Sequence, residues 1–393
     1  MEPISAASAT PSLTLTKPGR LLSVDILRGL TIGFMILVNN NGDGARAYWA
    51  LKHADWNGFT PTDLVFPTFL FMVGISTVFS TAARVAQGAT RQSLLLHVLR
   101  RSILLFLLGL VVNSFPYFHL ATVRFYGVLP RIALCYLIVA SLYILSPGWR
   151  SKAVLAAAAL GGYWLLMHYV PVPGYGMPGR DVPLLNRDGN LVAWLDRQIF
   201  SAPHLYERTR DPEGLLSTIP ALATTLMGLL TGIWLRTQRA MMQKVRGIAV
   251  AGVLAILLGG VWNAWFPINK KLWTSSYVLF AGGLSLVLLA VCLALVDRRA
   301  RKAGESRQPG VAIPFLVFGT NAIAAYVFSE LLASALSAVP LGADRNLQQG
   351  IFGGILRAVP DPAFASLLYS LGFVAVCWLF VYVLYRRRII LKI

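Results

Sequence analysis

The residue types best suited to chemistry lie together in one polar stretch, VNNNGDGARAYWALKHADWNGFTPTDLVFPTFLFMVG, which covers residues 38–74. His53 is its only histidine, and an imidazole titrates near neutral pH, so this side chain is suited to moving protons. Asp63 follows in the turn TPTD, where an apolar run begins. Asparagines 39–41 end the preceding apolar run. His53, Asp63 and these asparagines are therefore candidates for an acid–base site at one membrane face.

Each of these residues also has a purely structural interpretation. A single histidine in a loop is commonly just solvated. A carboxylate in the first turn of a helix commonly caps it, because negative charge is favourable there. Asparagines commonly stop helices. Their convergence near one membrane face strengthens the chemical interpretation, and both interpretations stay open on these residues alone.

Further polar residues fall near or inside apolar runs. Asp25 and Arg28 are three residues apart, on one helix face, and form either a structural ion pair or part of a wet cavity. The second option matters because an ionisable group deep in a span costs roughly 2.5–3.5 kcal/mol on insertion scales. Arg131 is predicted to point into the bundle, since lipid is a poor host for it. Lys270 and Lys271 suit interfacial anchoring as well as ligand contact.

Two other patterns predict contacts between helices. Asn321 and Glu330 could form hydrogen bonds across neighbouring helices. Gly228 and Gly232 form a GxxxG pattern, for which close helix packing is the favoured explanation.

Composition identifies the elements that must position these residues. The 393 residues are 56% hydrophobic and 13% charged, with a mean hydropathy of +0.64. Ordinary soluble proteins are roughly 45–50% apolar and 25% charged. The net charge of +19 does not predict nucleic-acid binding, because the basic residues punctuate apolar runs instead of forming a face. We therefore predict an all-α integral membrane protein.

Ten apolar segments are predicted to form transmembrane helices, since a span needs about 20 mainly apolar residues. The third is short and could begin within the arginine pair 100–101. The segments are 23–40, 62–83, 102–115, 127–146, 152–170, 216–235, 247–266, 273–296, 311–334 and 365–385.

The distribution of basic residues predicts the orientation. The second, fourth, sixth and eighth gaps hold 15 Lys and Arg residues, whereas the three short odd-numbered gaps hold five. Both tails are basic as well. The positive-inside rule then puts both termini and the even-numbered gaps in the cytoplasm, and residues 41–60 and 171–215 on the periplasmic side.

The remaining segments add little chemistry. Residues 1–20 contain no apolar core, so we predict a cytoplasmic tail and not a signal peptide. Residues 21–393 form one transmembrane domain with a long periplasmic segment, 171–215, that could cap an outward-facing cavity. The three cysteines lie in apolar segments without ligand-like spacing, so we predict neither a disulfide nor a metal site.

Several motifs together resemble one known family. They are SVDILRGLTIGFMILVNN, YWALKHADWNGFTPTDLVFPTFLFMVG, VRFYGVLPRIALCY, INKKLWTSSYVLFAGG and GTNAIAAYVFSELL, in this order along nearly the whole chain. This set resembles the heparan-α-glucosaminide N-acetyltransferase family of the transmembrane acyltransferase superfamily. HADWNG…TDLVFP is specific, while the opening VDxxRG is shared more widely. By this comparison we expect no counterpart of the extra leading helix and luminal domain of the lysosomal enzyme, and the N-rich turn is slightly longer.

The resemblance implies transfer of acetyl from cytosolic acetyl-CoA to an amino sugar across the membrane. The family's active-site histidine falls on His53 and its neighbouring aspartate on Asp63. Its helix-one asparagine falls on Asn39, with Asn40 as an alternative because of the longer turn. No metal is implied.

In the predicted mechanism, His53 takes a proton from the acceptor amine, which attacks the thioester. Asp63 orients the imidazole, and Asn39 or Asn40 donates to the oxyanion. Direct transfer and a route through an acetyl-histidine both remain open. Predicted acetyl-CoA contacts are Arg28, Arg100, Arg101 and Arg131, and predicted sugar contacts are Trp56, Asn57, Lys271, Trp273 and Asn321.

The alternative function is a permease for N-acetylglucosamine or a related amino sugar, since a polar cavity between helices suits a sugar either way. Under both functions we predict a multi-pass protein of a bacterial inner membrane. Its predicted partners are the bilayer, acetyl-CoA and a small amino sugar, with no nucleic acid. A homodimer is compatible with the sequence.

Overall fold

The computed structural model describes residues 21–297 and 312–391, and the regular structure in these ranges is helical. The predicted tail 1–20 and the basic stretch 298–311 lie outside the described residues. The thirteen α-helices of the described ranges are α1 (Leu22–Asn39), α2 (Val65–Val85), α3 (Arg91–Ser114), α4 (Val128–Leu145), α5 (Trp149–Tyr169), α6 (Leu191–Ile199), α7 (Thr218–Leu235), α8 (Met241–Trp262), α9 (Ser275–Cys292), α10 (Ile313–Thr320), α11 (Ala322–Ala338), α12 (Leu347–Ala358) and α13 (Pro362–Arg386).

Eight of these helices are long and apolar enough to cross a membrane, namely α1, α2 with the 3-10 turn Pro61–Leu64, α3, α4, α7, α8, α9 and α13. Helices α10 and α11 add a ninth span if they count as one, although the chain bends by 83° between them. The predicted segment 152–170 forms α5, which is less apolar because it carries Arg150 and Lys152. The structure thus confirms an all-helical membrane protein.

Two predicted segments have different limits in the structure. The third span does not begin at the arginine pair, because α3 already starts at Arg91, where Thr90 accepts a hydrogen bond from the Ser93 amide at 3.2 Å. The segment 311–334 is not one straight helix, because Asn321 separates α10 from α11.

Glycines set the closest helix contacts. A Cβ on Gly228 would lie 1.9 Å from the carbonyl oxygen of Phe71, and one on Gly74 would lie 2.1 Å from that of Thr225. Helices α2 and α7 therefore pack backbone against backbone, which confirms the packing role predicted for Gly228. Gly29 brings α1 equally close to α10, since its Cβ would lie 1.7 Å from Phe315 O. Small residues are what permits such approach between helices in lipid.

The loops sort to two ends of the bundle. The end where α1 finishes and α2 begins, here called the site end, gathers the segments 40–64, 115–127, 170–217, 263–274 and 339–361. Contacts among them include Trp56 with Leu185 and Arg124 with Asp211. At the opposite end, the carboxylate of Asp297 accepts hydrogen bonds from the backbone amides of Leu22 and Ser23. The predicted alternation of the gaps is therefore present in the fold.

A small apolar cavity lies inside the bundle, between α1, α2, α4 and α11. It is lined by Ile32, Met35, Phe69, Val128, Leu129, Ile132, Ile323 and Tyr326. The polar residues of the site end lie next to this cavity, at the ends of the same four helices or in the loops that join them.

Candidate active site

His53 and Asp63 form a direct pair. Nδ1 of the imidazole lies 2.6 Å from Oδ1 of the carboxylate. The Asp63 side chain is fully buried, whereas the His53 side chain is 42% exposed. An ionised carboxylate only accepts hydrogen bonds, so in the neutral ring Nδ1 carries the hydrogen and Nε2 keeps a lone pair. Nε2 has no hydrogen-bond partner in the described part of the chain, so it is available to accept a proton.

The second oxygen of Asp63 caps the helical turn. Oδ2 accepts hydrogen bonds from the backbone amides of Thr60 at 2.9 Å and Ala54 at 3.1 Å. Thr60 and Asp63 form a capping box at the 3-10 turn before α2. The sequence left open whether Asp63 caps the helix or contacts a catalytic group. In the structure it does both, because Oδ2 caps the turn and Oδ1 contacts His53.

Hydrogen bonds to the backbone hold the His53 loop in place. The Thr60 hydroxyl donates to Lys52 O at 2.6 Å, directly beside His53, and the Thr62 hydroxyl donates to Ala50 O at 3.0 Å. From α9, the buried Tyr277 hydroxyl donates to Asp63 O at 2.6 Å. The imidazole is therefore fixed by a rigid support, which is what a pre-organised acid–base group needs.

The loop before α9 packs against the His53 loop. Gly58 N donates to Ile268 O at 2.8 Å, and the Asn57 side-chain oxygen accepts from the Asn269 amide at 3.1 Å. Lys270 follows directly. Partial burial and the nearby charge of Lys270 lower the pKa of His53 below its ordinary value, against the opposing effect of Asp63. His53 is therefore neutral, and able to act as a base, at neutral pH.

Four charged residues extend the site away from His53. Arg124 donates to both oxygens of Asp211, at 2.7 and 2.6 Å, and to Glu213 Oε2 at 2.5 Å. Lys270 Nζ lies 3.8 Å from Glu213 Oε1. Burial alone would raise the pKa of Glu213, but Lys270 and Arg124 lower it well below its ordinary range. Glu213 is therefore a buried carboxylate that links the cations of two different loops.

The polar groups stand above the apolar cavity, on the side of the site end. Two of them lie four residues beyond a cavity-lining residue of the same helix, in the direction of the site end: Asn39 beyond Met35, and Glu330 beyond Tyr326. Arg124 lies four residues before the cavity-lining Val128, in the loop that leads into α4. Because residues four apart share a helix face, Asn39 and Glu330 face the same interior as the cavity. Asn39 and Arg124 are the groups close enough to Glu330 to act on its carboxyl group.

The two predicted asparagines differ in availability. The buried Asn40 donates its side-chain amide to Ile36 O at 2.9 Å, one turn back on its own helix. Asn39 is exposed and points toward Glu330. The geometry therefore favours Asn39 as the amide that faces open space in the site.

The long segment 171–215 covers the predicted sugar contact Trp56. Guanidinium groups of Arg187 and Arg210 lie over the indole ring, 5.4 and 5.2 Å from its centre, and the indole N–H donates to Leu185 O at 2.7 Å. Lys271 donates to Glu207 Oε1 of the same segment at 2.9 Å. Trp56 and Lys271 thus hold this segment against the His53 loop.

Trp273 and Arg131 form a buried pair beneath the site. The Arg131 guanidinium lies 5.1 Å from the centre of the Trp273 ring, and both residues are at most 1% exposed. Arg131 donates to Gly214 O at 2.9 Å and to the Ser217 hydroxyl at 2.5 Å. The prediction that Arg131 points into the bundle is confirmed. It holds the turn that carries Glu213.

Other predicted residues lie at the opposite end of the bundle. Arg28 donates to Asp25 and Gly319 O, each at 3.2 Å, and to the Ser76 hydroxyl at 2.7 Å. Asn321 donates to Ile389 O and accepts from Leu391 N, each at 3.0 Å. Since Asn321 binds the C-terminal segment there, it does not join His53. Asn321 is therefore not part of the predicted sugar site, because the break between α10 and α11 lies at the end of the bundle opposite the site end.

The four arginines predicted to contact acetyl-CoA do not form one cluster. Arg131 is at the site end, whereas Arg28 is at the other. Arg100 is exposed on α3, and the Arg101 guanidinium lies over the Tyr136 ring, 4.7 Å from its centre. Helix direction separates these residues: α1 and α3 begin at the end opposite the site, while α4 begins at the site end.

Sequence reasoning gave Lys270 a role in interfacial anchoring or ligand contact, but it did not connect Lys270 with Glu213 or Arg124. Glu213 stands in a polar loop 89 residues from Arg124, and no local pattern links them. Lys270 and Arg124 each lie a few residues before the start of a helix. This position at a membrane face was the one sign in the sequence that the two residues could share a site. Only the fold brings them to one carboxylate.

The fold and this geometry define a class: a multi-pass membrane protein with a supported imidazole–carboxylate pair at one end of its bundle. A family model described as heparan-alpha-glucosaminide N-acetyltransferase, catalytic, matches residues 20–260. The matched region contains His53, Asp63, Arg124 and Glu213. Because the match covers more than half of the sequence, the chain belongs to this family.

Two curated relatives agree with the family match. The human protein named heparan-alpha-glucosaminide N-acetyltransferase is 29% identical over 366 residues, which cover 80% of this chain and 53% of that protein. The mouse protein of the same name is 29% identical over 383 residues, which cover 84% of this chain and 56% of that protein. The chain thus spans about half the length of the curated relatives it matches.

Proposed function

We propose that the chain is an N-acetyltransferase that transfers acetyl from acetyl-CoA to the amino group of a glucosamine-type sugar. The observation that carries the proposal is the 2.6 Å contact between His53 Nδ1 and Asp63 Oδ1, with Nε2 left available. Membership of the family supports the reaction class and the sugar amine as acceptor. With the orientation predicted from the basic residues, acetyl-CoA is supplied from the cytoplasm and the sugar is bound on the periplasmic side of a bacterial inner membrane.

In the proposed reaction, Nε2 of His53 removes a proton from the amine as its nitrogen attacks the thioester carbonyl. Asp63 holds the ring by Nδ1 and stabilises the imidazolium that forms. Asn39 is the exposed amide able to donate to the oxyanion. The imidazolium then returns its proton to the sulfur of the departing CoA. Incubation with labelled acetyl-CoA in the absence of amine tests for the covalent route, since only an acetyl-histidine intermediate would leave label on the protein.

Reconstituted protein tests the proposal. Vesicles containing the full chain, acetyl-CoA and labelled glucosamine should yield N-acetylglucosamine. His53→Ala should lower turnover by at least about 10²-fold, the low end for general base catalysis. His119→Ala is a matched control, because His119 is an exposed loop histidine at the same end. Near-native turnover of a folded His53→Ala protein would remove His53 from the mechanism.

The permease alternative has one supporting observation, the break between α10 and α11, because broken helices often form transporter binding sites. However, both polar ends of the Asn321 side chain are occupied by the backbone of residues 389–391. This break therefore offers little to a sugar. Uptake of labelled N-acetylglucosamine without acetylation would favour the permease over the enzyme.

A further inference from the structure

Glu330 is a carboxyl group at membrane depth that the mechanism above does not use. It lies on α11, one turn beyond Tyr326 of the apolar cavity, on the side of the site end. It is half-buried, and its partner Asn39 is exposed, so solvent reaches this part of the site. Because an ionisable group in a span normally faces a partner or a wet cavity, its position calls for a ligand or a cation.

The cation beside Glu330 is engaged elsewhere. Arg124 gives its hydrogen bonds to Asp211 and Glu213, both in the loop before α7. It reaches Glu330 only through longer-range electrostatics, and the other group that acts on Glu330 is the neutral amide of Asn39. Among the described residues, no lysine or arginine is paired with Glu330. The carboxylate therefore has room for a cation from outside the protein.

We propose that Glu330 binds the ammonium group of the acceptor and accepts the first of the two protons that this group must lose. The inference rests on the proposed acetyl transfer. Amines in proteins have ordinary pKa values of about 8 to 10, so an acceptor amine arrives mostly protonated at neutral pH. An ammonium nitrogen has no lone pair and cannot attack a carbonyl.

The two protons require two acceptors. Glu330 takes one proton from the ammonium, which leaves a neutral amine, and later releases this proton to water. The amine attacks the thioester and its second proton passes to His53 Nε2, which gives it to the departing CoA thiolate. The carbon–sulfur bond breaks and a carbon–nitrogen bond forms. In total, an ammonium sugar and acetyl-CoA give the N-acetyl sugar, CoA thiol and one proton.

The surroundings of Glu330 suit this role. The charged and titratable groups that face it are Arg124, from the loop before α4, and Tyr326 of α11 itself. Helix α1 presents the neutral Asn39. Helices α3, α12 and α13 also pack against α11, and among the described residues no charged group on them acts on Glu330. An arriving ammonium can thus donate to one carboxylate and to the amide oxygen of Asn39, which is a binding site for an amino group and not for an anion.

Binding of matched sugars tests the charge preference directly. The purified full chain should bind glucosamine at least about tenfold more tightly than glucose, within the range of a hydrogen bond to a charged group. Glu330→Gln should remove this preference while leaving the Kd for acetyl-CoA unchanged. If Glu330→Gln does not fold, Glu330→Leu is a second variant. It should fold more readily, because it removes a polar group from an apolar span. Glu207→Gln is the control, since Glu207 is paired with Lys271 and Arg210.

The pH dependence separates this role from a structural one. Glu330→Gln must use amine that is already neutral, and the neutral fraction rises with pH. The ratio of wild-type to variant kcat/KM for glucosamine should therefore fall as the pH is raised from 6 to 9, while the KM for acetyl-CoA stays constant. A structural defect would give the same ratio at every pH, which would overturn the proposal.

The two proposals fail in distinguishable ways. If the wild-type chain acetylates no amine, the proposed function is wrong, and the binding comparison still decides whether Glu330 recognises ammonium. If the wild-type chain acetylates glucosamine and the Glu330 variants keep the tenfold preference over glucose, the enzyme remains and the role of Glu330 is wrong. A wild-type chain without any preference for glucosamine also overturns it.

Discussion

The ammonium of Lys270 lies 3.8 Å from Oε1 of Glu213, so a single buried carboxylate fixes the cation that lowers the pKa of His53. The loop that carries Lys270 is also bonded to the His53 loop through Gly58 and Ile268. Together with burial, which has the larger effect, this arrangement lowers the pKa of His53 without a direct contact between the imidazole and the ammonium group.

Removal of Lys270 should therefore shift the pH dependence of activity. The acid limb of kcat/KM reports the pKa of the essential base in the free enzyme. Lys270→Gln removes a positive charge, so the pKa of His53 should rise and the acid limb should move to higher pH. Lys52→Gln is the control, because Lys52 adjoins His53 in sequence but donates to Ala45 O. An acid limb that stays in place or moves to lower pH would exclude this electrostatic role.

Asp63→Asn should reduce turnover more than stability. The oxygen of the amide can still accept from Thr60 and Ala54, but its NH2 group then faces His53 Nδ1. This geometry favours the tautomer that carries hydrogen on Nε2, which cannot act as a base. We expect turnover to fall at least about tenfold, or roughly 1.4 kcal/mol, with a loss of unfolding free energy near 1 kcal/mol or less.

Two further variants define that experiment. In a His53→Ala background, Asp63→Asn should have little additional effect, because residues that act as one unit are non-additive. Thr60→Ala removes part of the cap but leaves the His53–Asp63 contact, so it should lower stability more than turnover. Equal losses from Asp63→Asn in both backgrounds would mean that Asp63 acts independently of His53.

The sequence was sufficient for the local parts of the site. His53 and Asp63 belong to one short stretch, and the alternation of apolar runs and basic gaps predicted which loops share an end. Hydropathy could not predict the 83° break at Asn321, because α10 and α11 are both apolar. Hydropathy also placed the start of the third span at residue 102, because the arginine pair 100–101 interrupts the apolar run. The helix itself begins at Arg91, since leucines continue it on the N-terminal side of that pair.

The long-range part of the site was not predictable from local pattern. Glu213 joins Arg124 and Lys270 because α4, α7 and α9 each have an end at one face of the bundle. A carboxylate in a polar loop gives no sign that the fold will bury it between two cations. The sequence identified Glu330 as an ionisable residue in a span. The direction in which its side chain points could not be predicted, because it depends on how α11 packs against α1.

Cysteine labelling tests the predicted orientation. Gln198 in α6 and Gln238 between α7 and α8 are exposed at opposite ends of the bundle. In a chain whose three native cysteines are replaced by alanine, Gln198→Cys should react with a membrane-impermeant maleimide in intact cells. Gln238→Cys should react only after the membrane is opened. The reverse pattern would place His53 in the cytoplasm and contradict the predicted direction of acetyl transfer.

Paired glycine substitutions on α1 test the packing that supports the site from the other end. A Cβ on Gly29 would lie 1.7 Å from Phe315 O, and backbone cannot move aside as a flexible side chain can. A Cβ on Gly33 would lie 3.5 Å from the Phe318 ring, which is an ordinary contact. Gly29→Ala should therefore lower the free energy of unfolding by about 1–3 kcal/mol, the usual cost of overpacking.

Gly33→Ala should be neutral or slightly stabilising, because alanine is favoured over glycine in a helix by up to about 1 kcal/mol. Thermal unfolding of both variants in the same detergent gives the comparison. Asn39 lies ten residues beyond Gly29, or about 15 Å along the helix, so the turnover of folded Gly29→Ala protein should stay within a few-fold of wild type. If both variants unfold at the wild-type temperature, α1 and α10 do not pack through Gly29. If Gly29→Ala melts normally but loses turnover, the two ends of α1 are coupled more tightly than this packing predicts.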